Sequence, residues 1–122
     1  MASAKRIFLD ANVLVAIGFR PLGEYHHILE IEGIHLVTSE HILAEVAENL
    51  VDLDKDPNEY IGKLRGIIEI TDQIVKLPTG LPLHDDEDRQ ALAESIGARC
   101  EEFVTFNSRD FKDLYGQTVY GV

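Results

Sequence analysis

Basic residues are scarce in this sequence, with 11 Lys and Arg against 22 Asp and Glu and a formal net charge of −11 over 122 residues. A surface that grips nucleic acid broadly through its phosphates carries the opposite sign, so that class of binding is disfavoured. Nucleic-acid chemistry of another kind stays open. Clustered carboxylates that hold a divalent cation lower the formal charge while creating a phosphate site. Cysteine is almost missing: Cys100 alone allows no internal disulfide, argues against a thiolate zinc site, and reads as a small core hydrophobe. Long apolar runs are missing too. None approaches the ~20 residues that span a bilayer, and residues 1–6 do not build a signal peptide, so a soluble cytoplasmic protein with no membrane partner is expected. With 45% apolar residues and no long polar or repetitive tract, the chain reads as one globular domain over 1–122 rather than as a disordered segment.

What is present centres on Arg6 to Val15, RIFLDANVLV. Ile7, Phe8 and Leu9 end abruptly at Asp10, then Asn12 follows, and apolar residues resume from Val13 to Ile17. A segment this apolar reads as a strand buried on both faces, as central parallel strands are. Asp10 at its carboxyl end then sits where open α/β sheets hold ligands. An equal alternative is that Asp10 caps the next helix.

Further along, Arg20-Pro21-Leu22-Gly23 breaks the chain, and Tyr25, Ile28, Leu29 and Glu32 fall at helical spacing up to Gly33. His35 to Thr38 reads as a strand, with Ser39 as N-cap of a helix from about Glu40 to Leu53. Ile42, Leu43, Val46, Leu50 and Leu53 gather on one stripe of that helix. Glu48 points away from the stripe, whereas Glu45 and Asn49 lie on its flank. After a linker ending in Pro57, Tyr60, Ile61, Leu64, Ile67, Ile68 and Thr71 again show helical spacing, and Gln73 to Leu77 reads as a third strand. In LHDDEDRQALAESIGARC, Leu92 and Ile96 mark the core-facing line of a helix, and Asp88 and Asp85 lie on that line one and nearly two turns earlier. Acids at a helix start also favour its dipole, so capping is the competing role for both. Glu101 to Thr105 supplies a fourth strand ending in polar residues, Thr105, Asn107 and Asp110, and Leu114 to Val122 a fifth. The alternation predicts an α/β fold: a mainly parallel sheet of about five strands between helical layers, with all carboxyl ends on one edge.

Asp10 and Asn107 would emerge at that edge, and the helices carrying Glu45 and Asp88 would begin there. Oxygen ligands crowded this way repel unless a cation is present, and they suit Mg²⁺ or Mn²⁺. The histidines His26, His27, His35, His41 and His84 form no ligand spacing and are expected in ordinary surface or cap roles. Arg89 and Arg109 follow the acids closely enough to meet phosphate, although solvated surface charge is the plainer role.

FLDANVLV around Asp10, TSEHILAEV around Glu45, DEDRQALAESIGA around Asp88 and VTFNSRDF around Asn107 together resemble the PIN domains, in order and spacing, over nearly the whole chain. The resemblance implies an α/β/α sandwich and a metal-dependent endoribonuclease, in many members the toxin of a type II toxin–antitoxin pair. It implies Asp10, Glu45 and Asp88 as metal-binding catalytic acids and Asn107 as a further ligand. Asn12, Thr105 and Asp110 are supporting residues, Thr105 through its hydroxyl. The implied partners are an RNA substrate, an antitoxin protein and a second copy of the chain. Asn107 departs from the Asp found there in many members; its carbonyl oxygen brings no charge, so a second metal should bind more weakly. Asp110, Asp85 or Asp86 could compensate. The departure keeps a second reading in play, a catalytically weakened PIN scaffold that binds RNA or protein. A phosphoacceptor receiver domain would need an Asp after the third strand, where QIVKLPTG has none, and a D-x-D phosphatase would need Asp in place of Asn12.

Overall fold

The computed structural model describes residues 4–19, 26–73, 86–105 and 118–121, with the side chains of 26–27, 86–88 and 118–121 left aside. Its elements run β1 (Lys5–Leu9), α1 (Ala11–Phe19), a 3₁₀ turn (His26–Glu30), β2 (Ile34–Ser39), α2 (Glu40–Asp52), α3 (Pro57–Ile67), β3 (Glu69–Thr71), α4 (Asp86–Gly97), β4 (Glu102–Thr105) and β5 (Thr118–Gly121). The strands form one sheet in the order β3-β2-β1-β4-β5, and every pairing is parallel. Parallel neighbours need crossovers, and the right-handed rule puts α1, α2 and α3 on one face. The connection through α4 runs the other way across the sheet, which puts α4 on the opposite face. Consistently, α2 packs on both α1 and α3, while α4 packs on β2. The expected α/β/α layering and five-stranded parallel sheet are therefore present.

β1 is the middle strand, which explains its composition: Ile7, Phe8 and Leu9 are all buried. Phe8 stacks on Phe103 of β4 with ring centroids 5.4 Å apart, an arrangement that adds to the ~25 cal/mol per Å² gained from apolar burial. The apolar run after Asp10 continues the stretch in sequence but not the strand. It forms α1, with Ala11, Val13, Leu14, Ala16 and Ile17 buried between the sheet and α2. A helix buried on most sides shows no amphipathic period, so this element had no signature of its own.

Three other expectations need correction. The helix read around residues 24–32 is, among the described residues, a 3₁₀ turn over His26–Glu30, ended near Gly33, whose φ of 82° is one that glycine adopts freely. The helix read through Thr71 stops at Ile67, and Glu69–Thr71 is β3; Gln73 precedes the undescribed residues that hold the rest of the strand expected at Gln73 to Leu77. The β-branched run Ile67-Ile68, Ile70-Thr71 fits both a 3.6 period and a pleated edge, and pairing with β2 selected the second. Leu53, placed on the buried stripe of α2, is 55% exposed because it is the C-cap, beyond the last helical turn. The rest of that stripe, Ile42, Leu43, Val46 and Leu50, is buried as the period requires.

At the amino end of the sheet, the Arg6 guanidinium makes paired hydrogen bonds to Glu69 at 3.1 and 2.6 Å and donates from Nε to the carbonyl of Ala98 at 2.9 Å. His35 Nε2 lies 2.9 Å from Glu69 Oε1, the oxygen that also accepts from Arg6 Nη1. Arg6 and then His35 hold the Glu69 carboxyl down at about 2. Cys100 is buried as expected, its thiol pushed up to about 12. On the α1–α3 side, a Cβ at Gly18 would lie 2.6 Å from the ring of Tyr60, whose hydroxyl donates to the carbonyl of Leu14.

Two outcomes follow for stability. A carboxyl held low in the folded state stabilises above its unfolded titration and loses that contribution as pH falls through its folded value. The stability gap between wild type and Glu69→Gln should therefore be open at pH 7 and close between about pH 4.5 and 2, followed by urea unfolding. Gly18→Ala should cost about 1–3 kcal/mol through overpacking, because the Tyr60 ring cannot yield without losing its hydrogen bond.

Candidate functional site

The parallel register brings polar residues together at the carboxyl ends of the strands. Leu9 lies opposite Val104 and Phe8 opposite Val37, so one or two steps on Asp10 reaches the level of Thr105 on one side and Ser39 on the other. Ser39 is itself opposite Thr71, and Thr105 opposite Gly121. At this row Asp10, Ser39, Thr71 and Thr105 are all buried.

Asp10 is the centre of the row. Its backbone N–H donates to Val104 at 3.1 Å and its carbonyl accepts the first helical bond, from Leu14 at 3.2 Å, so it occupies the N-cap position of α1. Its side chain does more than cap: Oδ1 accepts from the N–H of Ala11 at 2.8 Å and Oδ2 from the Thr105 hydroxyl at 2.7 Å. Burial pushes the Asp10 carboxyl above the usual carboxylate range, against the pull of Thr105, of the Ala11 amide and of nearby His41. A buried carboxylate whose desolvation outweighs its hydrogen bonds is one that a hard divalent cation would satisfy.

α2 starts directly from β2 because Ser39, in extended conformation, accepts from Ile42 N–H at 3.1 Å and caps it as expected. This tight junction places Glu45 on the second turn, half-buried on the flank of the stripe. Glu48 and Asn49 are exposed. Between Glu45 and the sheet stands His41, one turn earlier. Its Nε2 lies 3.2 Å from Glu45 Oε1, off the hydrogen-bonding direction, so the contact is one of proximity rather than a directed bond. Its Nδ1 lies 3.2 Å from Oε1 of Glu94, the same oxygen that accepts the Ser39 hydroxyl at 2.9 Å.

Glu94 and His41 are the residues that sequence reasoning missed. Glu94, on α4, is only 6% exposed, and His41 is largely buried rather than in a surface or cap role. A signal existed for Glu94: it sits between Ala93 and Ser95 among Ala91, Leu92 and Ile96, a polar residue inside an otherwise small and apolar run. The pairing with His41 had no local trace.

Asn12 stands on α1 and lines, with Val15, Phe19, Asn49 and Leu53, a groove of about 500 Å³ between α1 and α2. The backbone of Asp88 lies in the first turn of α4, and its side chain is outside the described set. Asp85, Asn107, Arg109 and Asp110 lie outside the described residues. Among the described residues, no three Asp, Glu, His or Cys side chains form a ligand cage; His41 sits between Glu45 and Glu94, 3.2 Å from an oxygen of each. No helix among the described residues is long and apolar enough to cross a membrane.

The Thr105 hydroxyl tests this arrangement. Thr105→Val keeps the shape and removes the donor, so it should cost about 1.5–3 kcal/mol at pH 7, where a charged acceptor is left short of a partner. Because the Asp10 carboxyl is raised in the fold, ionising it weighs against folding as pH rises. The cost of Thr105→Val should accordingly shrink at pH 4, measured by urea unfolding at both values.

No family model and no curated protein matches the chain. Solved structures do. A chain of VapBC2 from Rickettsia felis, solved bound to a DNA fragment from its promoter, superposes with a TM-score of 0.78 at 19% identity, over 96% of this chain and 98% of that one. VapBC-1 from nontypeable Haemophilus influenzae gives 0.62 at 12% identity, over 95% and 97%. VapC20 of Mycobacterium tuberculosis, a toxin that cleaves the sarcin-ricin loop, gives 0.57 at 15% identity, over 80% and 86%. At these identities the likeness speaks for architecture, and the chain has the PIN-like fold of the VapC toxins.

Proposed function

We propose that this chain is a Mg²⁺- or Mn²⁺-dependent endoribonuclease built on one PIN-like domain, the toxin of a type II toxin–antitoxin pair, acting in the cytoplasm as a homodimer. The observation that carries the reading is the buried Asp10 carboxylate at the sheet's carboxyl edge, over-desolvated and pinned by Thr105. The fold shared with VapC structures, one of them a toxin named for cleaving the sarcin-ricin loop and two solved as VapBC, supports both the substrate class and an antitoxin partner.

In this reading Asp10, Glu45 and Asp88 hold the metal, and Asn107 offers a neutral oxygen. When bound, a divalent cation activates water and offsets charge on a phosphodiester under in-line attack. The chain's own residues do the placing. Thr105 and the Ala11 amide fix the plane of the Asp10 carboxylate, and the Ser39 cap fixes where α2, and so Glu45, begins. Asn12 and Asp110 take supporting parts in this reading. The acidic surface agrees with this division of labour, since affinity for RNA would come through the metal rather than through a basic face.

The test is Mn²⁺-dependent cleavage of RNA by the purified protein. Loss of one ligand should cost more than the 10–100-fold typical of residues that only support ligands. Asp10→Asn and Asp88→Asn should each reduce cleavage more than about 100-fold. Their thermal midpoints should be unchanged or raised, because each removes one of several crowded charges. A wild type without metal-dependent cleavage would favour the binding scaffold that Asn107 suggests. A large loss of stability in Asp88→Asn would make Asp88 a helix cap instead.

A further inference from the structure

We infer that His41 is a positioning residue for Glu45, anchored in turn by Glu94, so that a Ser39–Glu94–His41–Glu45 chain sets the spacing of the two helices that deliver acids to the site. The inference rests on the metal-dependent reading above and adds two residues to it.

The geometry is specific. His41 and Glu45 are one turn apart on α2, with Nε2 to Oε1 at 3.2 Å, and the ring is mostly buried. Left to itself, a glutamate on a half-exposed helix flank samples several rotamers. Here the imidazole occupies one side of the carboxylate and restricts it. The ring is held in place from its other nitrogen, by Glu94 Oε1 at 3.2 Å. Glu94 in turn is fixed by the Ser39 hydroxyl at 2.9 Å, and Ser39 is committed to the first turn of α2 through Ile42.

A buried glutamate on α4 thus meets both the start of α2 and its first inward-facing ring. α4 also carries Asp88 on its first turn. Through Glu94 the two acid-bearing helices, which pack against the same strand β2, are tied to each other by polar contacts. Burying a carboxylate is costly unless polar partners meet it, and Glu94 accepts from Ser39 and meets the His41 ring. Residues that orient a ligand without touching the metal typically contribute 10–100-fold to its affinity.

The test is Mn²⁺ binding to the folded protein, read by the electron paramagnetic resonance of free Mn²⁺ at a temperature well below each thermal midpoint. His41→Ala and Glu94→Ala should each weaken binding about 10–100-fold. Glu94→Gln keeps an acceptor for Ser39 and His41 and should recover most of the loss. In the double variant His41→Ala/Glu94→Ala the two losses should combine to less than their sum, since Glu94 acts in part through the ring. Affinity unchanged in both alanine variants, with only the thermal midpoint lowered, would overturn the inference and leave the metal-dependent reading standing. Wild type and Asp10→Asn binding Mn²⁺ equally poorly would overturn both.

Discussion

The hydrogen bond from the Thr105 hydroxyl to the Asp10 carboxylate depends on one constraint, the parallel register of β1 and β4, and most of the site depends on it in turn. Had the two strands paired one residue out of step, Thr105 would face the other side of the sheet, because side chains alternate along a strand. Phe8 opposite Phe103, stacked ring on ring, selects the observed register from within the core. An apolar contact thereby decides where a polar one forms.

That polar contact governs the electrostatics of the sheet edge. Asp10 lies at the junction of β1 and α1, where its backbone is spent on β4 and on the helix and its side chain is enclosed. Desolvation there dominates over two hydrogen bonds and the nearby imidazole, so the fold by itself disfavours the charged form of this carboxyl. A bound divalent cation would complete such a group, which is why the metal-dependent reading rests on this residue. The opposite edge is different in kind. Arg6, Glu69 and His35 satisfy one another across β1, β3 and β2, and that network reads as fastening rather than chemistry.

Several elements were legible before the structure. The stripe of α2 and its Ser39 cap, the strand ending at Asp10, and the strand ending at Thr105 all carry their signal within a few residues. Others could not be read that way. α1 is buried on too many sides to show a period, and Ile68 to Thr71 satisfies helical and extended patterns equally. His41 looked like an ordinary polar residue on the first turn of a helix. Its burial comes from Glu94, 53 residues away, and from the closeness of α4.

By itself the sequence determined the fold class, the strand that ends at Asp10 and the flank of α2 that carries Glu45, because strand and helix signals, caps and the right-handed crossover rule all act locally or by topology. Only the tertiary structure decided which of those groups are desolvated, which hydroxyl reaches Asp10 from 95 residues away, and that Glu94 and His41 stand beside Glu45. The reason is physical: desolvation and hydrogen-bond geometry are properties of the packed environment, and no spacing along the chain records what lies across a sheet or between two helices.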